Sequence, residues 1–175
     1  LEFHDLDHDN DLDILVNTSI SYGEELVWYQ NGGEGIFSNK LVLDTIAYSE
    51  KIAVADVGQD DRLDILVSSH SRNEIFKYTY IDEAFKRDTF LRTSTKYIKS
   101  LLLTDLDNDG IDDVLISRRS DPTSKVVWYK GTDGLTYSPP IEIISDNDGF
   151  FLAHDRDIDQ DGFIDIVLSY SDQGT

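Results

Sequence analysis

Apolar residues arrive along this chain in short runs of four to eight, rich in Ile, Leu, Val and aromatics, with polar turn clusters between them. Runs of that length and make-up predict β-strands, and no stretch holds a 3.6-residue apolar period for three turns. The runs also recur. Ile14-Leu15-Val16, Ile65-Leu66-Val67, Val114-Leu115-Ile116 and Ile166-Val167-Leu168 each follow an aspartate. Those aspartates, Asp13, Asp64, Asp113 and Asp165, are spaced by 51, 49 and 52 residues. A fixed period of this length means one supersecondary unit copied along the chain.

Aligned on the aspartates, each copy reads as four strands. One enters (Lys51–Ala55, Ser100–Thr104, Phe150–Ala153) and the aliphatic run is the second. A third carries aromatics (Glu25–Tyr29, Glu74–Tyr78, Lys125–Tyr129), and a fourth runs from Ile36 to Leu43 or from Leu135 to Ile144. Gly32-Gly33-Glu34-Gly35 and Gly131-Thr132-Asp133-Gly134 supply turn chemistry before the fourth strand. The second copy has Asp82-Glu83-Ala84-Phe85 there, so its turn should differ. Four antiparallel strands in about fifty residues describe a β-propeller blade. The fold class expected is all-β: a propeller fragment of about three and a half four-stranded blades in one domain. The units run about 1–47, 48–97, 98–147 and, incomplete, 148–175. Trp28 and Trp128, two periods apart, are expected to pack between neighbouring blades.

An acidic loop precedes each aliphatic run. Asp5, Asp7, Asp9 and Asp13 occupy positions one, three, five and nine of the first; Asp105, Asp107, Asp109 and Asp113 repeat this, as do Asp157, Asp159, Asp161 and Asp165. The second loop keeps Asp56, Asp60 and Asp64 but has Gly58 at position three, so that site is expected weak or empty. Carboxylates at one, three and five of a curled loop fall on one side. A carbonyl near position seven and the ninth carboxylate can complete the six to eight oxygens that Ca²⁺ takes. The sharp turn at position six wants positive φ, which suits Gly110 and Gly162 best, then Asn10, then Asp61. Mg²⁺ prefers to keep its waters, and zinc wants nitrogen or sulfur. An EF-hand begins with the same spacing but needs a bidentate Glu at position twelve and flanking helices. Position twelve here is Val16, Val67, Ile116 and Leu168, so the EF-hand is rejected.

The repeat, the loop spacing and the strand behind it resemble the FG-GAP/VCBS family, the calcium-binding propeller blades also found in integrin α-subunits. The Gly-Glu-Gly-Ile-Phe37 turn is similar to the family's glycine-then-phenylalanine signature. The Phe-Gly and Gly-Ala-Pro elements are missing, which places the likeness nearer the VCBS branch. The resemblance implies that the twelve aspartates of loops one, three and four are calcium ligands, and that the loop joins the first and second strands of a blade. It implies a ring of seven blades, the remaining ones coming from the rest of a longer parent chain.

Composition sharpens this picture. The formal charge is −20, and Asp outnumbers Glu by 27 to 8 because acid is concentrated in and beside the loops. An apolar fraction of 39% argues against disorder. So acidic a surface repels phosphate backbones, which excludes nucleic acid as a partner. No apolar run reaches the length of a membrane span. There is no cysteine, and a chain that starts at Leu1, lacks methionine and stops at Thr175 reads as a piece of a longer protein. Any targeting segment is expected outside it.

The function expected is a calcium-stapled structural and interaction module, extracellular or at the cell surface, with a protein or carbohydrate ligand. The alternative is a carbohydrate-binding or accessory propeller of a carbohydrate-active enzyme. That role would use loop aromatics, for which Tyr22, Tyr48, Tyr97 and Tyr170 are candidates. Catalysis is not expected. Glu24-Glu25, Glu34, Glu74 and Asp146-Asp148 show no catalytic spacing, and His4, His8, His70 and His154 are scattered, with rim roles expected for His4 and His154. Asp155 precedes the fourth loop without a counterpart in the other three.

Overall fold

The computed structural model describes residues 1–21, 23–46, 49–69, 72–93, 97–119, 123–133, 135–146 and 151–170, and among these every regular element is a strand. They divide into two compact units: residues 1–56 with 60–92, and residues 57–59 with 93–175. In the first unit β1 (Glu2–His4), β2 (Asp13–Ile20), β3 (Gly23–Tyr29) and β4 (Leu41–Ile46) form one antiparallel sheet in chain order. A second sheet of the same order comprises β5 (Ser49–Ala55), β6 (Asp64–Ser69), β7 (Glu74–Ile81) and β8 (Ala84–Arg92). The second unit holds β9 (Ile98–Thr104), β10 (Asp113–Arg119), β11 (Ser124–Tyr129) and β12 (Ile141–Asp146), and the hairpin of β13 (Phe151–Arg156) with β14 (Asp165–Tyr170). Four-stranded meanders of this kind are propeller-like blades. Every acidic loop joins the first and second strands of its sheet.

In the second and third sheets the second strand is the most buried, with a hydrogen-bonded neighbour on either side and apolar packing on both faces. Ile65, Leu66 and Val67 have no exposure, nor have Val114, Leu115 and Ile116. This is why these runs are continuous instead of alternating. The fourth strands are edges, and Leu41 and Val42 lie exposed on β4.

Both tryptophans pack where the sequence places them. Trp28 stands edge-on to Phe85 and Tyr80, with ring centroids 5.4 and 5.7 Å away, in a core shared by the two sheets of the first unit. Trp128 packs with Leu115, Val126 and Leu102 against Ile166 and Leu168 of the hairpin. Register adds a substitution not apparent from composition. Leu15 pairs with Trp28 and Leu115 with Trp128, but Leu66 pairs with Lys77. A lysine therefore takes the tryptophan position in the second sheet.

The outer ladder is bulged at one place in all three complete sheets, between Leu26 and Val27, Ile75 and Phe76, and Val126 and Val127. The fourth strands of the first and third sheets begin later than expected, at Leu41 and Ile141. Serine is the reason. The Gln30 N–H donates to Ser38 Oγ (3.0 Å) while Ser38 N–H donates to the Gln30 carbonyl (2.8 Å), and Lys130 and Ser138 repeat this at 3.1 and 2.8 Å. A side chain thus takes an amide that the ladder would have used. The isolated bridges Asn31–Phe37 and Gly131–Tyr137 mark the turn before the strand proper.

The second sheet turns differently, as Asp82-Glu83 suggested. Its β7–β8 ladder continues to Ile81–Ala84, leaving a two-residue turn with φ of 54° at Asp82 and 61° at Glu83. Two left-handed residues are the signature of a type I′ turn, where glycine is favoured second. A side chain held at that φ costs about 1 kcal/mol. Glu83→Gly should therefore raise stability by about 1 kcal/mol, seen as a higher urea midpoint with an unchanged m-value; an unchanged or lower midpoint would contradict the turn.

Candidate metal centre

Each loop folds on its own aspartates. Asp5 accepts the Asp9 N–H at Oδ1 (3.1 Å) and the Asn10 N–H at Oδ2 (3.0 Å), while Asp9 Oδ1 accepts the Asp11 N–H (2.9 Å). The same three bonds recur in the second loop from Asp60, Asp61 and Arg62 (3.0, 2.9 and 3.1 Å) and in the third from Asp109, Gly110 and Ile111 (3.0, 2.8 and 3.0 Å). The fourth keeps Gly162 N–H to Asp157 (3.0 Å) and Phe163 N–H to Asp161 (2.9 Å). Position six is left-handed throughout: Asn10, Asp61, Gly110 and Gly162 have φ of 72°, 64°, 86° and 91°. Position four is left-handed too, at His8, Gln59, Asn108 and Gln160 (62°, 56°, 60° and 63°), which the sequence reading missed. Asn108 and His8 are the signals there, since asparagine and histidine are enriched in this conformation and glutamine is not.

The curl brings carboxylates together. One oxygen from each of Asp5, Asp7 and Asp9 lies within 4.8 Å of the others; so do oxygens of Asp105, Asp107 and Asp113, and of Asp157, Asp159 and Asp165. Oxygens held 2.3–2.6 Å from a common ion stand up to about 5 Å apart, so each triad matches the span of a Ca²⁺ shell. The second loop forms no such triad among the described residues, in keeping with Gly58 at its third position. Asp7 Oδ1 and Asp157 Oδ1 are buried without any hydrogen-bond partner. A buried anionic acceptor left bare is costly, and a cation is the partner that fits an oxygen facing other carboxylates. Burial pushes the Asp7 carboxyl up, the Gln30 amide draws it back, and Asp13, Asp9 and Asp5 add repulsion.

The ninth aspartates sit differently. Asp13 and Asp113 are fully buried at the heads of β2 and β10. Asp13 Oδ2 accepts the Leu6 N–H (3.1 Å) and Oδ1 the Asn31 N–H (2.8 Å). Asp113 does the same with Leu106 (3.0 Å) and Gly131 (2.7 Å), and Asp165 takes the Ile158 N–H (3.0 Å). Gly131 is required there, since a Cβ would stand 2.6 Å from the Asp112 carbonyl oxygen. Burial raises the Asp113 carboxyl, while the Gly131 and Leu106 amides draw it back. In the second sheet Asp64 instead meets Lys77 Nζ (3.3 Å) and the Thr79 hydroxyl, and burial pushes its carboxyl up against their pull.

Other sequence candidates are placed elsewhere. Tyr22, Tyr48, His70 and Asp148 lie outside the described residues, as do the side chains of Asp146 and Tyr170, and Tyr97 is exposed. Glu24 accepts the Ser49 N–H (3.0 Å), Glu25 pairs with Lys40, and Glu74 lies 3.4 Å from Arg92. His4 faces Glu2 at 3.7 Å, His154 is exposed on β13, and Asp155 is a half-buried strand residue opposite Ile166. His8 and Tyr80 line an open cleft of about 510 Å³ beside Asp7, Asp60 and Asp82.

Two comparisons with known proteins return nothing: no curated protein and no solved structure matches the chain. A third does. A family profile described as an FG-GAP-like repeat matches residues 5–67 and 105–168. Each match opens on the first aspartate of a loop and ends in the strand behind the next, so the two take in all four loops.

The two kinds of aspartate should separate on mutation. Asp113→Asn sets an amide against a backbone N–H and should cost about 2–3 kcal/mol in chelator. Asp107→Asn, on the exposed side of the same loop, should cost less than about 1 kcal/mol there. Urea unfolding of both variants in chelator is the check; equal losses would show that the ninth carboxylate has no separate anchoring role.

Proposed function

The chain belongs to the FG-GAP-like repeat family, and on that premise we propose that it is a calcium-stapled structural and interaction module. The ligands assigned are Asp5, Asp7, Asp9 and Asp13 in the first loop, Asp105, Asp107, Asp109 and Asp113 in the third, and Asp157, Asp159, Asp161 and Asp165 in the fourth. Asp56, Asp60 and Asp64 form a weak or empty site. The observation that carries this reading is the three oxygen triads, two of whose loops hold a buried carboxylate oxygen with no other partner. The donors are all oxygen, which suits a hard cation, and Ca²⁺ tolerates the irregular spacing of such a shell better than Mg²⁺. A bound ion supplies positive charge to loops built from facing carboxylates.

Without an ion, three carboxylates face one another. Each pair at ~4 Å repels by about 1 kcal/mol even at the dielectric of water. An ion removes that repulsion and ties the first two strands of a sheet together at its rim. Its binding free energy appears as folding stability, because the unfolded loop holds no preformed cage. Sites of this exposed kind suit millimolar calcium, which supports a module that works outside the cell or at its surface. The faces and loops of the sheets then serve a protein or carbohydrate partner, consistent with the use of such repeats as interaction modules rather than catalysts.

Calorimetric titration of the chelated chain should show up to three calcium sites. Thermal melting should shift upward in calcium, by about 2.7 kcal/mol of stability for each site at a hundredfold excess over Kd, and much less in magnesium. No heat with an unchanged melt, or an equal shift in magnesium, would overturn the calcium reading.

A further inference from the structure

We infer that Lys130 is a resident counter-ion of the third loop, which an arriving divalent ion has to displace, so that this loop binds its ion more weakly than its carboxylates alone would. The inference rests on the calcium reading above and extends it to how the loops differ in affinity.

The three complete sheets share one register, and the residue after the tyrosine that pairs with the first aliphatic residue of the second strand comes down on the acidic loop or its closing aspartate. Tyr29, Tyr78 and Tyr129 pair with Ile14, Ile65 and Val114, so the following residues, Gln30, Thr79 and Lys130, are equivalent. In the first loop Gln30 donates its amide to Asp7 and leaves Asp7 Oδ1 buried and unpartnered. In the third loop the Lys130 ammonium pairs with Asp107 Oδ2 and stands 2.8 Å from Asp109 Oδ2. Asp107 is exposed, where Asp7 is half-buried, and one of its oxygens is taken by the ammonium. The lysine thus supplies in advance the charge that the first loop lacks. In the second loop Lys77 and Thr79 hold Asp64, the lysine side chain being only 21% exposed. There the third-position carboxylate is missing as well, so the internal cation faces no triad that an ion could take over. Three copies of one frame carry no internal cation, a displaceable one and a built-in one.

A dication entering the third loop either forces the ammonium out into solvent, breaking two charge-assisted hydrogen bonds, or binds beside a positive charge. Both weaken binding, by an amount on the order of tenfold. Lys130→Gln installs the residue that the first loop uses, with an amide able to reach the same aspartate, so the turn is disturbed little.

The test is a calcium titration of the ¹⁵N-labelled chain and its Lys130→Gln variant by NMR. Gly110 N–H donates to Asp105, Asn10 N–H to Asp5 and Gly162 N–H to Asp157, giving one amide reporter in each of the third, first and fourth loops. The expected result is a fall of about tenfold in the calcium concentration at which Gly110 half-shifts, with Asn10 and Gly162 unmoved. The variant should also melt lower than the parent in chelator and gain more from calcium, a reversal that a merely structural role for Lys130 would not give. An unmoved Gly110 midpoint, or three midpoints moving together, overturns the inference while leaving the calcium reading intact. If no amide responds to calcium in either protein, the calcium reading falls and takes this one with it.

Discussion

A carboxylate buried at the head of the second strand, taking one backbone N–H from its own loop and one from the turn after the third strand, is the interaction on which the first and third sheets depend. Asp13 and Asp113 have no exposure, and an ionised carboxyl at such a place is tolerable only when its lone pairs are filled. Leu6 and Asn31 fill those of Asp13; Leu106 and Gly131 fill those of Asp113. One side chain thereby ties three segments: the loop at its second residue, the start of the second strand and the turn after the third. The loop cannot drift from the sheet without exposing two amides and stranding a charge. Because Leu6 is itself buried, the same bond that holds its amide also seats an apolar plug under the loop.

With that anchor in place, the outer aspartates are free for other work. The loop's curl is made by Asp5, Asp56, Asp105 and Asp157 accepting amides four or five residues on, and this local bonding does not depend on any ion. What the curl creates is a concentration of negative charge that it does not itself neutralise. Hydrogen bonds from amides lower the cost of one carboxylate; they do little about repulsion among three. Fold and cation demand are therefore separate properties of one loop. The first is satisfied by backbone donors, and the second by charge from outside or from a neighbouring strand.

Much of this was legible in the sequence because it is periodic. Four aspartates at near-constant spacing give the repeat, the continuous aliphatic runs give the buried second strands, and the Gly, Asn and Asp residues at position six give the left-handed turn. The missing glycines of Asp82-Glu83 showed that the second sheet turns differently. What stayed hidden depends on register or on side chains acting out of sequence order. The left-handed residues at position four include two glutamines, Gln59 and Gln160, which carry no turn signal. Ser38 and Ser138 end a ladder with a hydroxyl, and serine in a turn segment is too common to announce that. The equivalence of Lys77 with Trp28 and Trp128 lies in the alignment of the third strands on their tyrosines, but by composition Phe76 looks like the partner of the tryptophans, and the pairing of Leu66 decides between them. Likewise the ninth aspartate reads in sequence as a ligand alone, and its amide partners add an anchoring role to its place in the triads.

Repetition makes such differences readable. Where sheets share a frame, a change at one frame position compares local chemistry directly, with register and neighbouring backbone held fixed. The anchor at position nine is kept as aspartate in all four copies, although its partners change from two amides to lysine and threonine in the second. The charge at position three and the residue that descends on it both vary, from aspartate with glutamine, to glycine with threonine, to aspartate with lysine. A position that must fill a buried strand head has little latitude, because any other side chain leaves amides unpaired. Positions facing solvent across a loop have much more, since an ammonium, an amide or an ion can each meet the same carboxylate. In a repeat array each sheet holds most of its stabilising contacts within itself and with its neighbours, so one copy can change its electrostatics without obliging the others to follow. The acidic loops of this chain are thus one scaffold carrying several charge states, and the strand beside each loop sets which one it has.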